Sequence, residues 1–305
     1  MKIYLRWIGT IVCLGCMAGC SINVRGFGCC SGSFSMNCRS EKTLGIETPI
    51  EPGTCLKVDT ASGFIKIQGR DTNVCSGEAK VCVYASTDAE AREIAEQVEI
   101  RVTPGPGLLE IRADYPRRDH VSVSVSYELT VPARTSAQVH SASGSIALSG
   151  LGGTLKADTA SGSIRAEDID RGSANLTTAS GGIRIERAVL DTCYMNTASG
   201  SLICEQIGCP DIKGHTASGS IRVACVPDAS PELSADLSTS SGSVQLNTPK
   251  GFAGTVELST HSGSVWSDLP VTVKGDLGKK RLTGTVGRGS GRVSLKTASG
   301  SVKLY

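Results

Sequence analysis

The sequence predicts an all-β chain: a parallel β-helix-like solenoid of short strand repeats, preceded by a β meander with one short α-helix. Three observations carry that prediction. Glycine is in excess, 36 of 305 residues, well above the roughly 7% of ordinary proteins. The excess is neither collagen nor disorder, because Pro is only 11, hydrophobic residues make up 39% and charged residues 20%. Finally, a Ser-Gly pair recurs along the chain with aliphatic residues at fixed offsets, and the offsets run with a period of two on both sides of the glycine.

Taken in order, residues 1–19 read as an export signal. Lys2 and Arg6 precede an apolar stretch from Trp7 to about Ala18, too short for the roughly 18 residues that cross a bilayer. The stretch ends Met17-Ala18-Gly19-Cys20, which resembles a bacterial lipobox. On that reading Cys20 is acylated (palmitate among its chains) and becomes the new N-terminus, with enough acyl chains for stable anchoring. Ser21 behind the cysteine points to the outer membrane. An ordinary signal peptide with incidental cysteines is the alternative. Residues 20–50, rich in Gly, Ser and Cys, read as a tether between lipid and folded body.

Residues 51–135 read as the N-terminal β segment. Ala79 to Tyr84 is strand-like. Thr87 and Glu90 form a T-x-x-E capping box. Ala91, Ile94, Ala95 and Val98 then recur at helical spacing, so a short helix is expected from Thr87 onward. Glu99 to Thr103 and Leu108 to Ala113 flank the turn Pro104-Gly105-Pro106-Gly107. Val121 to Tyr127 alternates strictly, as a half-buried strand does.

Residues 136–305 read as the repeat solenoid, and one further copy of the motif stands at Gly63. The Ser-Gly glycines are 63, 144, 162, 181, 200, 219, 242, 263, 291 and 300. Two residues after each stands an aliphatic side chain, Ile146, Ile164, Ile183, Leu202 and Ile221 among them. Five residues before stand Val58, Val139, Ala157, Leu176, Met195, Leu237 and Leu258, and three before stands a hydroxyl column from Thr60 to Thr297. Each unit is therefore strand, corner, strand, with glycine freeing the backbone to take positive φ at the corner. So short a unit buries no core alone, and stacking like units in parallel solves this. A twisted meander of antiparallel hairpins is the alternative.

The TASGS motif followed by an aliphatic strand (Thr159 to Ile164, Thr197 to Leu202, Thr216 to Ile221) resembles the bacterial putative-adhesin family of β-strand repeats, a domain-of-unknown-function family. The resemblance covers about residues 50 to 305, although Ala and Ser replace the Val and Asp of the commoner motif. It implies a solenoid fold, an envelope location and no established enzyme activity.

The chemistry-bearing residues fall in columns. Three residues after the glycine, Lys66, Arg165, Arg184, Arg222 and Lys303 form a partial basic stripe, interrupted at several units and once by the aromatic Trp266, a candidate sugar-stacking residue. The stripe is a candidate dock for an anionic glycan or another envelope protein, or else a solubilising face that protects strand edges. Four residues before the glycine runs a polar column, with His140 beside Asp158 and Asn196 beside His215 on successive units. Ten cysteines remain after Cys20. Ten is an even number, which in an exported chain fits disulfides or structural packing, and seven of them, Cys55, Cys75, Cys82, Cys193, Cys204, Cys209 and Cys225, lie in the folded body. No CxxC spacing favours a metal. Formal net charge is +2 and falls to zero without Lys2 and Arg6, so no bulk field points to nucleic acid.

The expectation is a lipid-anchored, non-enzymatic envelope protein without cofactor or metal, holding a glycan or protein partner. A glycan-active β-helix enzyme using Asp158 or His140, or an envelope regulatory or sensor component, are the alternatives.

Overall fold

The computed structural model describes residues 21–28, 39–273 and 280–305. Cys20, the segment 1–19 expected to be an export signal, Cys29, Cys30 and Cys38 lie outside the described residues. Two sheets of thirteen strands each face one another. Each repeat supplies one strand to either sheet. Around Gly181, Ser173–Ser180 lies in the leading sheet and Ile183–Val189 in the trailing sheet. The two strands do not pair with each other. Each pairs in parallel with its counterparts in neighbouring repeats, so that Ile183 lies between Ile164 and Leu202. The repeats thus stack in parallel; between the last two corners Arg281–Val286 runs antiparallel to Gly254–Ser262 and to Val271–Val273.

The core is the space between the sheets. Leu176 and Met195 point into it from the leading sheet, Ile183, Leu202 and Ile221 from the trailing sheet, and all are buried. Burying each such side chain stabilises by about 1.5–3 kcal/mol. The narrow interior explains the aromatic poverty.

The corner is built by contact between rungs. Thr178 Oγ1 donates to the Gly162 carbonyl at 2.9 Å, Thr197 to Gly181 at 2.9 Å and Thr216 to Gly200 at 2.9 Å. The hydroxyl column therefore faces inward and is consumed by the fold. A Cβ on Gly200 would stand 1.9 Å from the Gly181 carbonyl oxygen, although Gly200 does not have positive φ. At Gly200 close approach of rung to rung therefore demands the glycine; at corners such as Gly63 (φ 120°) and Gly300 (φ 141°) the backbone conformation demands it as well.

Two details of the repeat differ from expectation. Gly291 is not a corner: it opens the strand Gly291–Ser299 of the unit whose corner is Gly300. Val293 and Leu295 are that unit's leading-strand positions, which match the period-two pattern because any buried strand does. Nine rungs remain. Nor do they stack in chain order. Gly291–Ser299 pairs with Ser234–Ser241 on one side and Gly254–Ser262 on the other. The last repeat of the chain is thereby inserted between two earlier ones.

The N-terminal segment closes the other end of the same two sheets. Cys55–Ser62 and Ile65–Arg70 stack directly on the rung of Gly144. Val74–Tyr84 and Ser122–Pro132 run antiparallel in the trailing sheet, and the hairpin Glu99–Gly105 with Leu108–Asp114 extends the leading sheet. The helix Asp88–Gln97 begins at the expected cap: Thr87 Oγ1 accepts from the Glu90 N–H at 3.2 Å. Ala91, Ile94 and Ala95 are its buried face.

The tether expected over residues 20–50 is corrected by the strands Ser21–Gly28 and Ser40–Pro49, which pair antiparallel with each other; Ser40–Pro49 also pairs with Val74–Tyr84. The inward positions of Ser40–Pro49 are Ser40, Lys42, Leu44, Ile46 and Thr48, so three of five are polar and the apolar alternation is hidden. Lys42 is tolerated inside because its ammonium donates to the carbonyls of Ala95 (3.2 Å), Glu96 (3.3 Å) and Val98 (3.2 Å) at the helix C-terminus. Among the described residues, no helix is long and apolar enough to cross a membrane.

Candidate functional site

The outer face of the trailing sheet carries the residues three after each corner glycine. In spatial order these are Lys66, Ala147, Arg165, Arg184, Ile203, Arg222, Gln245, Lys303 and Trp266. The five members of the expected basic stripe share this one column, but not one environment. Two residues further along each strand runs an acidic column, Glu167, Glu186 and Glu205. Arg165 pairs with Glu167 on its own strand and with Glu186 on the next at 3.1 Å. Arg184 pairs with Glu186 and, at 2.9 Å, with Glu205. Its hydrogen bond to Glu186 holds that carboxyl below the ordinary range. Lys66 reaches Glu128 at 3.5 Å. A glycan phosphate or carboxylate arriving at Arg165 or Arg184 would compete with carboxylates already in place. At Lys66, Arg165 and Arg184 the partial basic stripe is thus part of a charge-paired ladder.

A second feature of this ladder escaped the sequence reading. Asp168, Arg187 and Gln206, each six residues after its corner, have φ of 53°, 51° and 56°. This left-handed kink aims Arg187 back at Asp168, with Nε–Oδ1 2.6 Å. The recurrence of polar residues at that offset is the available sequence signal.

Past Glu205 the acidic column is interrupted by Ala224 and Asn247, and a carboxylate returns at the same offset only with Asp268, two residues after Trp266. Arg222 and Lys303, both exposed, make no ion pair among the described residues. Trp266 is 44% exposed and its ring lies 4.9 Å from that of Tyr305, tilted by 58°.

The outer face of the leading sheet carries the polar column. His140 lies beside Asp158, and Asn196 beside His215, as the spacing implied. With the methyl groups of Ala160, Ala179, Ala198 and Ala217 the column lines a shallow open trough. His215 Nδ1 and Ser238 Oγ are 2.7 Å apart. Asp158 is the one carboxylate among the lining residues, whereas glycoside hydrolysis ordinarily needs two about 5–9.5 Å apart.

Of the two roles expected for the cysteines, disulfides or structural packing, five show packing. Cys55, Cys193, Cys204, Cys209 and Cys225 stand as thiols. Cys193 and Cys204 fill inward columns otherwise held by Ala174 and Ile212 or by Ile185 and Val223. They replace small aliphatic residues there. Cys204 Sγ donates to Met195 Sδ at 3.3 Å, and Cys209 Sγ to the Asp211 carbonyl at 3.1 Å. Burial pushes Cys209 and Cys225 each up to about 12, and a hydrogen bond to Cys204 together with burial raises Cys193. Such thiols are poor nucleophiles. Cys75 is buried and Cys82 half-buried on Val74–Tyr84. Among the described residues, no three His, Cys, Asp or Glu side chains are grouped to hold a metal ion.

Residues 56–305 match the family model described as Toastrack DUF4097, and the chain belongs to that family. No curated protein matches the chain. A solved structure described as a putative adhesin from Parabacteroides distasonis ATCC 8503 is 12% identical, with 87% of this chain and 97% of that one covered and a TM-score of 0.50. A putative adhesin from Bacteroides fragilis NCTC 9343 is 10% identical over 87% and 97%, with a TM-score of 0.48. A further structure from P. distasonis, described as a putative lipid binding protein, is 16% identical over 86% and 96%, with a TM-score of 0.43. At 12% identity the likeness to the first of these is one of fold alone.

Proposed function

We propose that this chain is an exported, non-enzymatic surface protein of the cell envelope, anchored in the outer membrane through lipid on Cys20, whose stacked rungs present flat faces to a glycan or protein partner. The observation that carries the reading is the in-register stack itself. Nine rungs repeat the same outward offsets at roughly 4.8 Å steps, so weak contacts along a column add up over an extended partner. The name given to the Parabacteroides distasonis structure, a putative adhesin, agrees with it. The lone carboxylate of the trough weighs against the glycan-active enzyme.

Membrane fractionation and protease shaving of intact cells test the proposal. The wild-type chain is expected with the outer membrane and open to added protease. Cys20→Ala is expected in the soluble fraction. Retention of Cys20→Ala in the membrane overturns the lipid anchor, and resistance to protease on intact cells overturns surface display.

A further inference from the structure

We propose that the C-terminal end of the trailing sheet is a binding platform for an acidic polysaccharide, one whose sugar units carry carboxylates. The inference rests on the surface-display reading above and names a ligand class and a place for it. The charge ladder covers only part of the face. Arg222 and Lys303 share its cationic column with Arg165 and Arg184 but have no carboxylate partner among the described residues. Their charges are the part of the column available to an incoming anion.

The groups around them suit a sugar chain. Gln245 lies between Arg222 and Lys303 in register, and its Nε2 donates to Asn247 Oδ1 at 3.4 Å. Both amides keep hydrogen-bonding capacity for hydroxyls. Trp266 closes the column beside Lys303, and with Tyr305 it offers an aromatic pair at the surface. Aromatic faces pack against the C–H faces of pyranose rings, and an indole supplies the largest such area. A guanidinium takes a carboxylate in a two-point fork. From Arg222 to Trp266 is three strand spacings, roughly 14 Å, long enough for several sugars lying across the strands. Asp268 stands exposed two residues beyond Trp266, and its like charge disfavours a ligand carboxylate at that end, leaving Arg222 and Lys303 as the anion-binding positions.

The experiment uses the full chain carrying Trp7→Phe, in which Trp266 is the only indole. Hexameric oligogalacturonate is titrated against it, with indole fluorescence and calorimetry as readouts and neutral maltohexaose as the control. A saturable change in fluorescence is expected, with the neutral sugar at least tenfold weaker. Trp266→Ala and the double variant Arg222→Gln/Lys303→Gln are each expected to weaken binding at least tenfold at unchanged circular dichroism. Arg184→Gln, in the paired ladder, is expected to change affinity less than twofold. Absence of binding, equal binding of maltohexaose, or equal weakening by Arg184→Gln overturns the proposal. Because this readout is made in solution, it fails or succeeds separately from the surface-display experiment.

Discussion

From Gly144 to Gly242 each rung repeats the contacts of the one before it: a threonine or serine hydroxyl on a glycine carbonyl, glycine backbone on glycine backbone, aliphatic on aliphatic. At the N-terminal end the same two sheets continue with contacts made once each. Lys42 caps one helix, Thr87 starts it, and antiparallel strands replace parallel ones. The repeated region gains stability from identity between neighbours, so a wrong residue is felt by the rungs above and below. The end region depends on individual pairs, so damage there stays local.

The largest break in that contrast is expected from Ile183→Asp. Ile183 is 1% exposed, and a carboxylate without a partner there costs about 4 kcal/mol or more. Thermal melting should fall steeply, and an unchanged melt would place the column in solvent. Next comes Gly200→Ala. The added methyl has to displace the backbone carbonyl of Gly181, which is expected to cost about 3 kcal/mol. Gly219→Ala, at φ 152°, should cost a similar amount in denaturant titration. A much smaller loss at Gly200 would restore φ as the reason for the corner glycine.

Lys42→Met should cost about 2 kcal/mol, because three carbonyls lose a charged donor. Its signature is local. Amide exchange should quicken across the helix Asp88–Gln97 and remain slow in Ile183–Val189. Equal acceleration in both would show that end and stack unfold as one unit. The smallest effect is expected from Thr178→Val, about 1 kcal/mol for one neutral hydrogen bond in a column of like bonds. A stability unchanged in chemical denaturation would mean that the hydroxyl ladder contributes register without strength.

Much of the repeated region is readable along the chain. Aliphatic offsets such as Leu176 and Ile183 mark their own faces, and the Thr87–Glu90 box marks a helix start. Ser40–Pro49 is not readable in this way, because Ser40, Lys42 and Thr48 occupy inward positions that only a helix end and neighbouring strands make acceptable. The site divides in the same manner. The cationic column from Lys66 to Trp266 stands out once the repeats are aligned. Its partition into a paired ladder and an open platform depends on Glu186 and Glu205 lying within reach of arginines on a neighbouring strand, and on Ala224 and Asn247 ending that supply.

The sequence by itself determined the strand period, the corner at each Ser-Gly and the inward columns, because alternation and tight turning are properties of a few consecutive residues. Only the tertiary structure decided that the Gly300 rung sits between those of Gly242 and Gly263, that Gly291 is no corner, and that Arg222 and Lys303 lack ion-pair partners among the described residues. Those facts concern which strands lie side by side, and strands of one period stack equally well in several orders until the whole assembly selects one.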